Sequence, residues 1–208
     1  MRPHRGWTAT QLNIFVGAYN TQLVKKSDLP TSYRDLLDPK WKGKLGMEAE
    51  DEDWFAGVVT HLGGDEVVRL FQEIVKRNGI SVRSGHTLLT NLVASGEVPL
   101  ALTVYNFTAE QVRQSGAPLD WFVIPPAMAQ PNGVAVLKTT QKPNAAVLLY
   151  DFAITDAQSI FLARGLTPTR KDLDTPLTKF PFKVINPELV LDEGEKWRKL
   201  YQQTISTK

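Results

Sequence analysis

A chain of 208 residues, 42% hydrophobic and 22% charged, has an ordinary globular composition and is long enough for one good core or two modest ones. Its 24 basic and 22 acidic residues leave a net charge of +2, too even a balance to build a nucleic-acid surface. With no cysteine there can be no disulfide, thiol nucleophile or zinc–thiolate site, although this leaves the compartment open.

The first seven residues carry basic side chains but no apolar run follows them, so they do not read as a secretory leader. No apolar stretch approaches the roughly 20 residues of a transmembrane helix. Residues 12–20, β-branched and aromatic, predict a strand. Thr31 or Ser32 is placed to cap a short helix with Asp35 in its first turn, ended by Pro39. A turn at 42–44 leads into a short strand ending near Met47. Helices are predicted over 54–62 and 65–78, the second from Val67, Val68, Leu70, Phe71, Ile74 and Val75 at helical spacing, with Asn78-Gly79 as its stop. A brief strand at 80–82, a helix over 84–94 and an apolar strand over 98–104 follow. A helix at 109–114, strands at 121–124 and 133–137, and helices at 144–155 and 157–163 complete the pattern, with a closing helix over 193–204. This alternation predicts an α/β protein with a largely parallel sheet. No internal repeat interrupts it.

Motifs for chemistry are missing. The three histidines, His4, His61 and His86, are linked by no metal-ligand spacing and read as surface or structural residues. No nucleophile elbow, phosphate loop or dinucleotide fingerprint is present, so neither a cofactor nor a catalytic residue is expected. Three segments stand out instead. Glu48, Glu50, Asp51, Glu52 and Asp53 lie within six residues of one another, just before Trp54. Such a run is either a solvated, dipole-matched helix start or a cleft wall that attracts a cationic or metal-bearing solute. The turn Arg83-Ser84-Gly85-His86-Thr87 opens a helix, where free N–H groups bind an anion or are capped by Ser84 or Thr87. Tyr105-Asn106-Phe107 ends an apolar strand, at the edge where open α/β sheets hold ligands, and is equally compatible with core packing.

Tyr19-Asn20-Thr21, the stretch DLPTSYRDLLDPKWKGKLGM and the stretch NGVAVLKTTQKPNAAVLLYDFAITDAQSIFLARGLTPTR resemble extracellular solute-binding proteins of the ferric-iron transporter group. These are periplasmic components of ABC importers with the type II binding-protein fold, two α/β lobes joined by crossing strands. The resemblance runs from about residue 12 to 170. It implies a crossing strand and a remnant of the N-terminal lobe in 1–19, a C-terminal lobe over 20–122 with a mixed or mostly parallel sheet flanked by helices, and a return strand and N-terminal-lobe helices over 123–170. The tail, 171–208, would return to the C-terminal lobe. It also implies that most of the N-terminal lobe precedes residue 12 and is missing here. The helices over 144–163 are then expected to expose an apolar face and to associate, as a homodimer, through it.

Iron-binding relatives place a tyrosine pair after the strand matching 100–104. Asn106 and Phe107 stand there, with Tyr105 the only phenol nearby, so an organic solute or chelated iron is expected in preference to a bare ferric ion. The ligand-facing residues implied are Ser84, Gly85, Thr87, Tyr105, Asn106, Asp53 and Trp54. The function expected is capture of a small solute in the periplasm and delivery to a membrane permease, without catalysis. Affinity would depend on both lobes, so this chain alone should bind weakly. An enzyme or a sensory ligand-binding domain on the same fold is the alternative.

Overall fold

The computed structural model describes residues 6–175 and 179–205; the reading of His4 lies outside them. The frame is one strand, β1 (Thr8–Asn20), buried at every position from Leu12 onward. Its first half pairs antiparallel with β6 (Ala127–Val134) and β7 (Thr167–Pro168). Its second half pairs antiparallel with β4 (Leu100–Tyr105) and β5 (Leu119–Phe122). Beyond β4 lie β2 (Leu45–Glu48) and β3 (Ser81–Arg83), and beyond β6 lies β8 (Phe182–Val184), giving the order β3-β2-β4-β1-β6-β8.

The sheet is mixed. It is parallel where β2 meets β3 and β4 and where β6 meets β8, and antiparallel everywhere along β1. The parallel sheet expected from strand–helix alternation therefore holds only away from β1, because alternation along the chain does not say which strand will serve two groups of partners. Successive side chains of β1 enter different cores, as a period of two requires. Phe15 and Tyr19 join Trp41, Trp54, Phe55, Phe71 and Tyr201 on one face. Ile14, Val16 and Ala18 join Leu89, Val93 and Val104 on the other. The first core is closed by α1 (Glu52–Leu62), α2 (Asp65–Asn78) and α8 (Gly194–Ile205), the second by α3 (His86–Ser95) and α4 (Asn106–Gln114).

Two predicted elements change character. The helix expected after Ser32 is a pair of 3-10 turns, Tyr33–Leu37 and Pro39–Trp41. The Asp35 carboxylate accepts the N–H groups of Thr31 and Ser32 at 2.8 and 2.9 Å, the capping geometry that the spacing predicts. Pro39 begins the second turn, where its missing N–H costs nothing. The strand expected over 133–137 lies earlier, in β6, and contains Pro131. That proline is tolerated because β8 pairs only with Ala127, Met128 and Ala129, leaving the rest of this side of β6 as an open edge.

The expected apolar surface is present on α5 (Pro143–Ile154), which has no buried residue, and on α6 (Ala157–Ala163). Leu148 and Leu149 are 71% and 63% exposed, with Phe152 and Ile160 beside them. Among the described residues no single helix is long and apolar enough to cross a membrane; α5 and α6 together have the length and composition but are bent by 50°. Buried Gln158 anchors α6 to the sheet by donating to the Thr10 carbonyl at 3.0 Å and accepting the Thr169 N–H at 3.1 Å.

Asn20 fastens the far end of β1. Its side-chain amide donates to the carbonyls of Val93 and Ala94 at 2.9 and 3.2 Å, closing the last turn of α3, and its Oδ1 accepts the Gln22 N–H at 3.0 Å. Replacing Asn20 by Ala removes all three hydrogen bonds, although the Val93 carbonyl keeps the Gly96 N–H, and should cost about 2 kcal/mol in urea unfolding. Asn20→Asp, nearly the same shape but unable to donate, should cost at least as much at neutral pH; if it is neutral, the amide is not what closes α3.

Candidate functional site

The acidic run is mostly not solvated. Glu48, Asp51 and Asp53 are only 5%, 2% and 8% exposed, whereas Glu50 is exposed and Glu52 half-buried. Glu48 is buried because it is the last residue of an interior strand, and each of its polar groups has a partner. Its Oε1 accepts the Gly85 N–H at 2.8 Å and its Oε2 the Glu50 N–H at 2.5 Å. Its own N–H donates to Thr103 Oγ1 at 3.1 Å, and its carbonyl accepts from the Tyr201 hydroxyl. Asp53, in the first turn of α1, accepts the Trp54 N–H at 2.7 Å and a hydrogen bond from the Gln130 amide of β6.

Asp51 sits at the N-cap of α1, with Oδ1 3.3 Å from His86 Nε2. Asp51 Oδ2 and His86 Nδ1 are both buried without a hydrogen-bond partner among the described residues. The His86 ring lies 3.9 Å from that of Tyr105, centroid to centroid, and meets Phe15 edge-on at 6.0 Å. These groups enclose a pocket of about 380 Å³ lined by Glu48, Glu50, Asp51, Glu52 and Asp53 with His86, Tyr105, Gln130 and Val190. It opens at the carboxyl ends of the parallel strands β2 and β4, the edge where such sheets hold ligands. On its rim Arg198 pairs with Glu52 at 3.2 Å.

Burial in a poorly hydrated wall, with like charges nearby, favours the neutral forms of Asp51 and Asp53. Burial raises the Asp51 carboxyl well above the ordinary carboxylate range, and the charges of Asp53 and Glu48 push the same way. Burial also raises Asp53, to about 6, with the Trp54 N–H opposing it. Burial lowers His86, against the pull of Glu48. The Tyr105 hydroxyl is raised by burial and then by Asp51 and Asp53, so it stays a phenol at neutral pH. The Asp51 and His86 shifts both oppose an ion pair at the close contact between these two residues.

Of the seven residues expected to face ligand, Asp53 and Tyr105 line the pocket. Gly85 supports it through its N–H, while Ser84 and Thr87 are exposed and do not line it. The start of α3 is capped by neither hydroxyl: its N-cap is Gly85, at φ 101°, and the acceptor for that N–H is the protein's own Glu48. Trp54 is 2% exposed and packs against Tyr33, Phe55 and Phe71, because one helical step of about 100° turns it away from Asp53 and into the core. Asn106, 3% exposed, turns inward from the end of β4, where its Oδ1 accepts the Ile14 N–H at 3.4 Å. His86, read as a surface or structural residue, is a pocket wall, and Gln130 lay outside any predicted strand. No metal-ligand spacing links these residues in sequence, yet Glu48, Asp51 and His86 place one donor atom each within 4.8 Å of the others, from segments too far apart for a spacing search. The usable signal was that two parallel strands and the Gly85 turn all end at one edge.

A raised carboxyl binds its proton more tightly folded than unfolded, so the Asp53 contribution is most favourable below about pH 4 and falls as pH rises toward about 6. Measured in EDTA, Asp53→Asn should be more stable than wild type at pH 7.5 by up to about 3 kcal/mol, the advantage vanishing near pH 4. A variant less stable than wild type across this range would show that Asp53 is held as a favourable carboxylate.

The sequence matches the family model for bacterial extracellular solute-binding proteins over residues 1–188. The structure is similar to iron-bound HitA from Pseudomonas aeruginosa, with a TM-score of 0.78 and 23% identity, covering 96% of this chain and 69% of that one. It is similar, too, to the periplasmic binding protein AfuA from Actinobacillus pleuropneumoniae with fructose-6-phosphate bound, with a TM-score of 0.79 and 22% identity, covering 97% and 69%. Among curated proteins, Iron uptake protein A1 of Synechocystis is 26% identical over 162 residues, which are 71% of this chain and 45% of that protein, so this chain spans less than half of that relative. The architecture is thus that of the type II periplasmic binding proteins, and the chain belongs to the family of bacterial extracellular solute-binding proteins.

Proposed function

We propose that this chain is the solute-capturing part of an ABC import system, that it works in the periplasm without catalysis, and that it hands a small cationic or metal-bearing solute to a membrane permease. The observation that carries the charge of the solute is the pocket wall: five carboxylates line it, and no lysine or arginine does. Capture of an anion such as a sugar phosphate would place like charges together in a poorly screened site. Binding without turnover is supported by family membership. A protonated Tyr105 with Asn106 turned inward disfavours a bare ferric ion, which phenolates would hold.

The division of the chain follows the pairing of β1. Residues 20–122 with the tail 171–208 form one lobe, 1–19 and the first part of 123–170 cross between lobes, and the helices over 138–170 belong to the second. The switch of partners along β1 supports this, as does the packing of α8 on α1 and α2. The α5–α6 surface is the face through which two copies associate, the exposure of Leu148, Leu149 and Phe152 being the reason.

Two measurements test these readings. Calorimetry at millimolar ligand should give binding of putrescine, weakened at least about tenfold by Asp53→Asn, and none of fructose 6-phosphate; a preference for the anion overturns the cationic reading. Sedimentation velocity at tens of micromolar should show a dimer that Leu148→Lys with Phe152→Lys converts to monomer, and a wild-type monomer overturns the association.

A further inference from the structure

We propose that Glu48, Asp51 and His86 form a binding site for one divalent transition-metal ion on the floor of the acidic pocket. The inference rests on the reading of that pocket as the solute site and names what it takes.

The first support is geometric. One donor atom of each residue lies within 4.8 Å of the others. Ligand atoms bound at about 2.0–2.2 Å to a tetrahedral ion stand about 3.4 Å apart, and His86 Nε2 and Asp51 Oδ1 are already separated by 3.3 Å.

The second is an independent deficit. The Asp51 side chain, 3% exposed, lines the pocket, and among the described residues neither its Oδ2 nor the buried His86 Nδ1 has a close hydrogen-bond partner, Thr103 being the neighbour of both. Three other buried side-chain atoms, Trp41 Nε1, Trp197 Nε1 and Thr204 Oγ1, also lack a partner among the described residues, but only here do two such atoms fall in one acidic cluster beside a pocket, which points to a group that would engage it.

The supporting shell is in place. Glu48 is oriented by the Gly85 and Glu50 N–H groups, and the His86 ring is held between Tyr105 and Phe15. Such outer contacts hold metal ligands in register. Two carboxylates balance a 2+ charge, and imidazole with carboxylate oxygens suits zinc or manganese better than a soft monovalent ion. Three protein ligands leave coordination positions turned toward the pocket opening, where water or a solute donor completes the shell. All three ligands come from β2, the turn before α1 and the start of α3, so the site needs no further part of the protein.

The test is titration of the EDTA-stripped chain with Zn²⁺ by calorimetry and with Co²⁺ by visible absorption. One equivalent should bind, and Co²⁺ should show the ligand-field bands of inner-sphere coordination. His86→Ala and Asp51→Asn should each weaken Zn²⁺ binding more than about 30-fold with far-ultraviolet dichroism unchanged, while His61→Ala, at an exposed histidine outside the pocket, should bind as wild type does. Loss of binding in His61→Ala, or retention in both His86→Ala and Asp51→Asn, overturns the site. Putrescine titrated into the same proteins separates the two readings. Putrescine bound with no Zn²⁺ sinks the metal site and leaves the cationic pocket standing, whereas failure of both sinks the two together.

Discussion

Glu48 ends an interior strand with its carboxylate inside the protein, and three separate pieces of chain come to it. The N–H of Gly85 sets the entry to α3, the N–H of Glu50 folds the acidic turn back over the strand, and the Tyr201 hydroxyl of α8 holds the Glu48 carbonyl from the other side. These contacts bring Asp51, Asp53 and Tyr105 into one poorly hydrated wall, where burial first, and then neighbouring charge, raises all three above their ordinary values. A wall of this kind is what the proposed cationic solute would require, since a cation relieves the repulsion that an anion would add to.

The rest of the fold places that wall where a solute can reach it. β1 divides its hydrogen bonds between β4 and β5 at one end and β6 and β7 at the other, so Gln130 of β6 can meet Asp53 of α1 across the opening. The aromatic cluster of Trp54, Phe55 and Phe71 then fixes α1 from behind. The residue beside the pocket and the residue that anchors it are neighbours in sequence, Asp53 and Trp54, separated only by the helical turn. Such an arrangement couples the polarity of the site to the stability of the core.

The apolar surface of α5 and α6 has a different origin. α5 has no buried side chain, and α6 is held chiefly by the hydrogen bonds of Gln158 to backbone of β1 and of the segment after β7. Among the described residues Leu148, Leu149 and Phe152 of α5 and Ile160 of α6 remain exposed, the surface on which the proposed association rests. The curated relative that this chain matches is more than twice as long as the matched region, which agrees with a larger surrounding structure in that protein.

Local order was legible in the residues. The Val67 to Val75 stripe, the Ser32–Asp35 cap and the glycine stops determined where helices and turns fall, because helical period and capping depend on neighbours a few positions apart. The acidic run and Tyr105 could be singled out for the same reason: they sit at the ends of recognisable elements, and they line the pocket at that edge of the sheet. What the sequence could not decide were facts of register and direction across the fold. The antiparallel course of β1, the strand around Pro131, the inward turn of Trp54 and Asn106, and the meeting of His86 with Asp51 all depend on contacts between segments distant in the chain. Glu48, Asp51 and His86 form a cluster only after β2 and α3 are packed side by side, and no linear spacing encodes that packing.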